Sequence, residues 1–178
     1  MADFKEENQT IKLTIPTQGS IPVISISNWI IFMNRYVPSG FNWNLTWNDY
    51  KNGFGSSSSV DFWMGLERLH LLTTSGNYRL RLEWEHLGSE VWLSVEYWIF
   101  FIDDEAAYYT LHVSGYVPGD DGGALFVYKI AFFVYITCKP IYVFIHIHKV
   151  ERGFQDRECG QHFGIKIKRN GKSLILPI

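Results

Sequence analysis

The stretch Thr46–Thr73, TWNDYKNGFGSSSSVDFWMGLERLHLLT, decides the fold. Its residues predict two short helices joined by a glycine–serine turn. Thr46 can cap the first helix, with Asp49 three residues on to answer it, and Gly53 ends the helix where a left-handed backbone is needed. Gly55 and Ser56 to Ser59 then form a polar loop. Asp61 precedes a second helix on which Phe62, Leu66 and Leu69 recur at three-to-four spacing, an apolar stripe for a core.

Outward from that stretch, the pattern turns to strands. Upstream, Ile11–Ile15 alternates until Pro16 stops it, and Ile21–Arg35 reads as one or two strands with Trp29 and Phe32 among β-branched neighbours. Downstream, Tyr78–Glu85 has a clean period of two: Leu80, Leu82 and Trp84 face one way, Arg79, Arg81, Glu83 and Glu85 the other, as in a half-buried antiparallel strand. His86 to Ser89 is a hairpin connection into Glu90–Ile102; Asp103-Asp104-Glu105 is a charged turn; Tyr109–Tyr116 is a third strand. Antiparallel strands after short helices predict an α+β domain built on a central sheet. Residues 126–150 are almost wholly apolar, but Pro140 splits them into pieces of about ten, too short for the roughly 20 residues of a spanning helix, so they read as buried strands.

Composition limits function further. The 178 residues suit one domain, enough to bury roughly 70% of the unfolded surface. Aromatic residues make up 17% of the chain, with seven tryptophans, which implies a dense core or an exposed aromatic platform. A net charge of −2 offers no footprint for nucleic acid, and Lys166, Lys168 and Arg169 read as a solvated turn. No membrane span is expected. No heptads or Gly-X-Y triplets support oligomerisation within the chain.

Several motifs resemble fibrinogen-related domains, the C-terminal globular domains of the fibrinogen family. Tyr50, Gly53-Phe54-Gly55, Phe62-Trp63-Met64-Gly65-Leu66 and Leu69-His70-Leu71-Leu72-Thr73 are similar to that family's GFG, FWLGL and (I/L)H-x-LT run. Trp29–Arg35 is similar to its GGWTVxQRR strand, with Asn28 where a glycine is expected; Phe41 and Trp47 fall at its DF and W. Leu80–Glu83, the Tyr97, Phe100, Glu105 spacing, Tyr109–Tyr116 and Val117–Leu125 extend the likeness, which covers about Trp29 to Leu125. The organisation it implies is a polar lead (1–20), the N-terminal and central parts of a fibrinogen-like domain (21–125), and a divergent apolar C-terminal segment (126–178).

The resemblance implies a fibrinogen-like globule: a twisted antiparallel central sheet with short flanking helices and an incomplete C-terminal subdomain. It implies an extracellular, lectin-like module binding carbohydrate or acetylated ligands, with host defence as one setting. The alternatives are a matrix-adhesion or receptor-ligand domain of tenascin or angiopoietin type, or a truncated domain that has lost ligand binding. No enzyme is expected: no Ser/His/Asp or Cys/His arrangement and no paired carboxylates stand out. The family's calcium loop, D-x-D-N-D, has no recognisable counterpart. Phe154 to Cys159 holds one aspartate, Asp156, and one glutamate, Glu158, so no calcium or other cofactor is expected.

The remaining candidates are weighed residue by residue. His146 and His148 alternate on one strand and, with Cys159 or His162, can be arranged as a zinc site; two strand histidines in an apolar run is the simpler reading, and no metal is expected. His70 is expected to pack or hydrogen-bond, as in the family. Asp103, Asp104 and Glu105 read as a solvated acidic turn. Asn8 and Asn44 stand in N-x-T sequons and are glycosylation candidates. Cys138 and Cys159 can pair as one disulfide. Met1–Thr10 is polar and acidic where a secretory h-region would be apolar, so no signal peptide is read there.

Overall fold

The computed structural model describes residues 9–36, 39–86, 91–117, 141–150, 168–169 and 172–173. Its body is one antiparallel sheet. In chain order the elements are β1 (Gln9–Ile15), β2 (Gly19–Ile26), β3 (Trp29–Tyr36), α1 (Trp47–Asn52), β4 (Phe54–Gly55), β5 (Phe62–Trp63), α2 (Leu66–Thr74), β6 (Asn77–His86), β7 (Trp92–Ile102), a 3-10 turn (Glu105–Ala107), β8 (Leu111–Val117), β9 (Ile141–Val150), β10 (Lys168–Arg169) and β11 (Lys172–Ser173). The main path runs β1-β2-β3-β9-β6-β7-β8, with β5 pairing β3 and β4; β10 and β11 pair separately. Sheet and short helices make the α+β architecture expected from the sequence.

The alternation in Tyr78–Glu85 translates directly into packing. Leu80 and Leu82 are buried, while Arg79, Arg81 and Glu83 stay half-buried on the opposite face. Leu80 lies opposite Tyr97 and Leu82 opposite Val95, so β6 and β7 present apolar residues to the same side. Phe100 and Ile102 of β7, past a change in its alternation at exposed Ile99, are buried in the same core with Val113 and Leu111 opposite them on β8. Helix α2 closes over it with Leu66, Leu69 and Leu72. Phe32 joins the layers, stacked on Phe100 at 5.8 Å and edge-on to Trp63 at 6.0 Å. Burying each such large side chain stabilises the fold by roughly 1.5–3 kcal/mol.

The alternating run Ile11–Ile15 is β1, an edge strand paired with β2 from Gln9↔Ser25 to Ile15↔Gly19. Ile15 and Val23 from this hairpin are fully buried in the core. The turn from β2 to β3 explains Asn28 at an expected glycine: Ser27 and Asn28 have φ of 48° and 67°, the left-handed pair that a two-residue hairpin requires and that asparagine tolerates. From the apolar C-terminal segment, β9 enters the middle of the sheet. It lies between β3 (Met33↔Ile145) and β6 (Leu82↔Ile145), so the last strand of the main sheet in sequence is central in space.

One expectation in the deciding stretch is corrected. Phe62 does not begin the second helix: Phe62 and Trp63 form β5, opposite Asn34 and Met33, and the helix starts at Leu66. Phe62 from β5 and Leu66 and Leu69 from α2 reach one core from two elements, which is what their three-to-four spacing reflects. The hairpin residues 87–90, the Asp120–Gly123 loop and most of the C-terminal segment lie outside the described residues. Among the described residues no helix is long and apolar enough to cross a membrane.

Candidate functional site

Around the deciding stretch, local chemistry builds a rigid knot. Thr46 and Asp49 complete a reciprocal capping box: Asp49 N–H donates to Thr46 Oγ1 (3.3 Å) and Thr46 N–H to Asp49 Oδ2 (2.9 Å). The Thr46 hydroxyl, donating to Asp49 Oδ2 at 2.6 Å, and then the Thr46 N–H hold the Asp49 carboxyl below its usual range. Gly53 (φ +89°) and Gly65 (φ +105°) then let α1 and α2 approach backbone to backbone. A Cβ on Gly53 would lie 2.4 Å from the Met64 carbonyl oxygen, and one on Gly65 would lie 2.7 Å from the Asn52 carbonyl carbon.

Aromatic residues wrap the knot. Phe41 stacks on Phe54 at 5.7 Å, Trp43 stands edge-on to Phe54 at 5.0 Å, and Tyr50 is perpendicular to Phe54 at 5.5 Å. Every polar handle in this cluster is satisfied. The Trp43 indole donates to Asp61 Oδ1 (2.9 Å), Trp63 to the Tyr50 carbonyl (2.7 Å), and the Tyr50 hydroxyl to the Trp43 carbonyl (2.6 Å). The Arg35 guanidinium lies 5.0 Å over the Trp43 ring. Burial pushes the Tyr50 phenol up, partly opposed by Arg35. Phe41 leaves this cluster 43% exposed, making it the aromatic wall turned to solvent.

A second constellation joins the β7–β8 turn to the helices, and in it the acidic turn, exposed at Asp104 and Glu105, also makes specific bonds. Each acid has a structural partner. Asp103 Oδ2 lies 2.7 Å from His112 Nε2, whose ring stacks on Phe101 at 4.3 Å. Asp104 caps the 3-10 turn by accepting from Ala107 N–H (3.0 Å). Glu105 accepts from the Trp47 indole (3.0 Å) and from Lys51 (2.6 Å), tying the turn to α1. Tyr108 and Tyr109 take left-handed φ values of 55° and 52°, which buries Tyr109 against Trp47 with its hydroxyl donating to Glu67. Burial first, and then the Glu67 bond, raise the Tyr109 phenol far above its ordinary range. His70 has the structural role expected: its Nδ1 lies 3.0 Å from the Ile102 carbonyl, pinning α2 to the end of β7.

The opposite face of the sheet carries cations on indoles. Arg79 lies between Trp29 (5.1 Å) and Trp98 (4.1 Å) and pairs with Glu96; Arg81 lies 5.7 Å over Trp29 and pairs with Glu83 (2.9 Å) and Glu96 (3.6 Å). By backbone register His146 falls opposite Arg81 and His148 opposite Arg79. Cys159 and His162 lie outside the described residues, and among the described residues no group of three or more His, Cys, Asp or Glu side chains is placed to hold a metal ion.

Of the other candidates, Asn44 is exposed in the loop before α1, whereas Asn8, Cys138, Asp156 and Glu158 lie outside the described residues. Sequence reasoning missed the Trp43–Asp61 bond, the Glu105 bridge and the Trp29–Arg79–Trp98 stack. The first two join residues 18 and 54 or more positions apart, and no local periodicity signals them.

Comparison with known proteins bears on this geometry. The family model for the C-terminal globular domain of fibrinogen beta and gamma chains matches residues 24–162. Human fibrinogen alpha chain is 41% identical over 105 residues, 57% of this chain and 11% of its own length. Human microfibril-associated glycoprotein 4 is 32% identical over 67% of this chain and 50% of its own, so this chain spans about half or less of these relatives. The fibrinogen-like globe domain of human ANGPTL2 superposes with a TM-score of 0.60 at 26% identity, covering 71% of this chain and 59% of that one. Lamprey fibrin D-dimer, complexed with the peptide Gly-His-Arg-Pro-amide, superposes with a TM-score of 0.56 at 26% identity over 64% of this chain and 38% of its own.

Proposed function

Because this chain belongs to the fibrinogen C-terminal globular domain family, we propose that it is an extracellular recognition module that holds a ligand and performs no chemistry on it. The observation that carries this reading is the match over residues 24–162, beside which Lys51–Glu105, His112–Asp103 and Tyr109–Glu67 are pairs that tie elements of the fold together. A lectin-like ligand, an acetylated carbohydrate, follows from the motif resemblance. A protein ligand has separate support, since a structural relative holds the peptide Gly-His-Arg-Pro-amide. Matrix adhesion or receptor binding would fall under that second reading.

The two are separated by passing the purified chain over acetylated resin and over immobilised Gly-His-Arg-Pro-amide, each with calcium and with chelator. Elution by free acetylated sugar identifies the lectin-like module; retention on the peptide alone identifies the protein-binding one. Retention on neither, in either buffer, overturns ligand binding of these kinds and leaves a domain that has lost it. Because Asp156 and Glu158 do not reproduce the family's calcium loop, added calcium is expected to leave the melting temperature unchanged. An ion at 100 times its dissociation constant would instead add about 2.7 kcal/mol.

A further inference from the structure

We propose that Asn44 is an N-glycosylation site whose first N-acetylglucosamine rests on the exposed ring of Phe41. The sequence Phe41-Asn42-Trp43-Asn44-Leu45-Thr46 places an aromatic ring three residues before the acceptor and a threonine two residues after it. The structure folds this run into a tight loop. Leu45 N–H donates to the Trp43 carbonyl (2.9 Å), Asn44 N–H to Asn42 Oδ1 (2.9 Å), and Phe41 N–H to Ser39 Oγ (3.1 Å). Asn44 is exposed, and Phe41 keeps 43% of its surface in solvent although its other face is stacked on Phe54. Trp43 turns its indole N–H inward to Asp61 and meets Phe41 edge-on at 5.9 Å, so Phe41 is the exposed ring that can receive a sugar. The C–H face of a pyranose is complementary to the negative face of an aromatic ring. An attached sugar reaches that ring without the entropic cost of a second molecule binding.

The transfer forms a bond from Asn44 Nδ2 to C1 of the donor sugar and breaks the bond from C1 to the pyrophosphate of a lipid-linked oligosaccharide. The lipid pyrophosphate departs as the leaving group, and the amide proton passes to the transferase. In the folded chain the Thr46 hydroxyl donates to Asp49 Oδ2 at 2.6 Å as part of the helix cap. The transferase needs that hydroxyl, so transfer precedes closure of the capping box. Glycan and cap then stabilise the same loop from its two ends.

This proposal rests on the extracellular reading above, and its test is independent of any ligand. An Asn8→Gln background removes the other sequon. In that background the parent chain, Asn44→Gln and Phe41→Ala are produced behind a cleavable secretion signal in human cells. Mass is read before and after peptide-N-glycosidase on both cell-associated and secreted protein, so poor folding does not hide occupancy. The parent and Phe41→Ala are expected to lose glycan mass and Asn44→Gln to show none. Removing the glycan is expected to lower the melting temperature of the parent by a few degrees, and that of Phe41→Ala by clearly less. A parent chain without glycan overturns the site. An equal loss of melting temperature in the two glycosylated forms overturns the contact with Phe41. Either result leaves the resin and peptide outcomes as they stand.

Discussion

The knot around Gly53 and the Arg79 face of the sheet use the same aromatic vocabulary in opposite ways. In the knot, tryptophan and tyrosine donate hydrogen bonds to fixed acceptors, and two glycines bring two backbones within van der Waals contact. On the other face, Trp29 and Trp98 offer ring surface to a guanidinium that the Glu96 carboxylate also holds. The first arrangement admits one geometry, because a backbone contact and a buried hydrogen bond both fail steeply with displacement. The second tolerates change, since charge on a partly exposed surface can be met by water. A fold is specified where its geometry is intolerant, so the knot is where substitutions should be most costly.

The largest expected effect breaks the knot. Gly53→Ala places a methyl group 2.4 Å from the Met64 carbonyl oxygen at a φ of +89°, so overlap and backbone strain add. A loss of about 4 kcal/mol or more is expected, at the rare severe end for single substitutions. Urea unfolding followed by tryptophan fluorescence would measure it. A loss under about 1 kcal/mol would mean that α1 and α2 can part without disturbing the sheet, and the comparison would fail at its strong end.

Where signals are local, the sequence was legible: the Thr46–Asp49 cap, the alternation through Leu80 and Leu82, and the hairpin strands of the α+β sheet could all be read from spacing. The misreading of Phe62 is instructive. Its spacing to Leu66 and Leu69 imitates a helical stripe, but its state is decided by pairing with Asn34 across the chain and by the turn at Gly65. The central position of β9 was beyond reach for the same reason. Apolar composition announces a buried strand, while its two neighbours are chosen by the whole sheet. Within the candidate site, Asn44 and its sequon were plain in sequence, whereas the exposure of Phe41 and the inward turn of Trp43 follow from ring contacts that spacing does not encode.

An intermediate effect concerns buried phenols. Tyr97 and Tyr109 are buried, and burial raises both above the ordinary value near 10, with Tyr116 reinforcing the first and Glu67 the second. A raised folded value means that the protonated phenol is the one the fold keeps. Stability from this source is therefore complete below about pH 10 and is lost as pH rises beyond it, at about 1.4 kcal/mol per pH unit for each such tyrosine. Tyrosinate absorbance from Tyr97 and Tyr109 is expected to appear only as the sheet unfolds. Tyr109→Phe should flatten the alkaline decline while costing some stability at neutral pH, because Glu67 loses its donor. An unchanged decline in that variant would show that Tyr109 ionises without opening the corner.

The smallest effect tests the tolerant face. Glu96→Gln removes the carboxylate that meets both Arg79 and Arg81 but leaves an amide oxygen in its place. All three side chains keep about a fifth of their surface in solvent, so screening and side-chain entropy limit what the pairs contribute. The expected loss is about 0.5–1 kcal/mol at low salt, shrinking as ionic strength rises. Arg79 would still lie between two indoles, whose attraction for a cation is of similar size and less sensitive to screening by salt. A loss above about 3 kcal/mol, unmoved by salt, would instead mark this face as a sealed interior where an unpaired guanidinium cannot reach water. The distinction between the two regions would then have to be drawn from backbone approach alone.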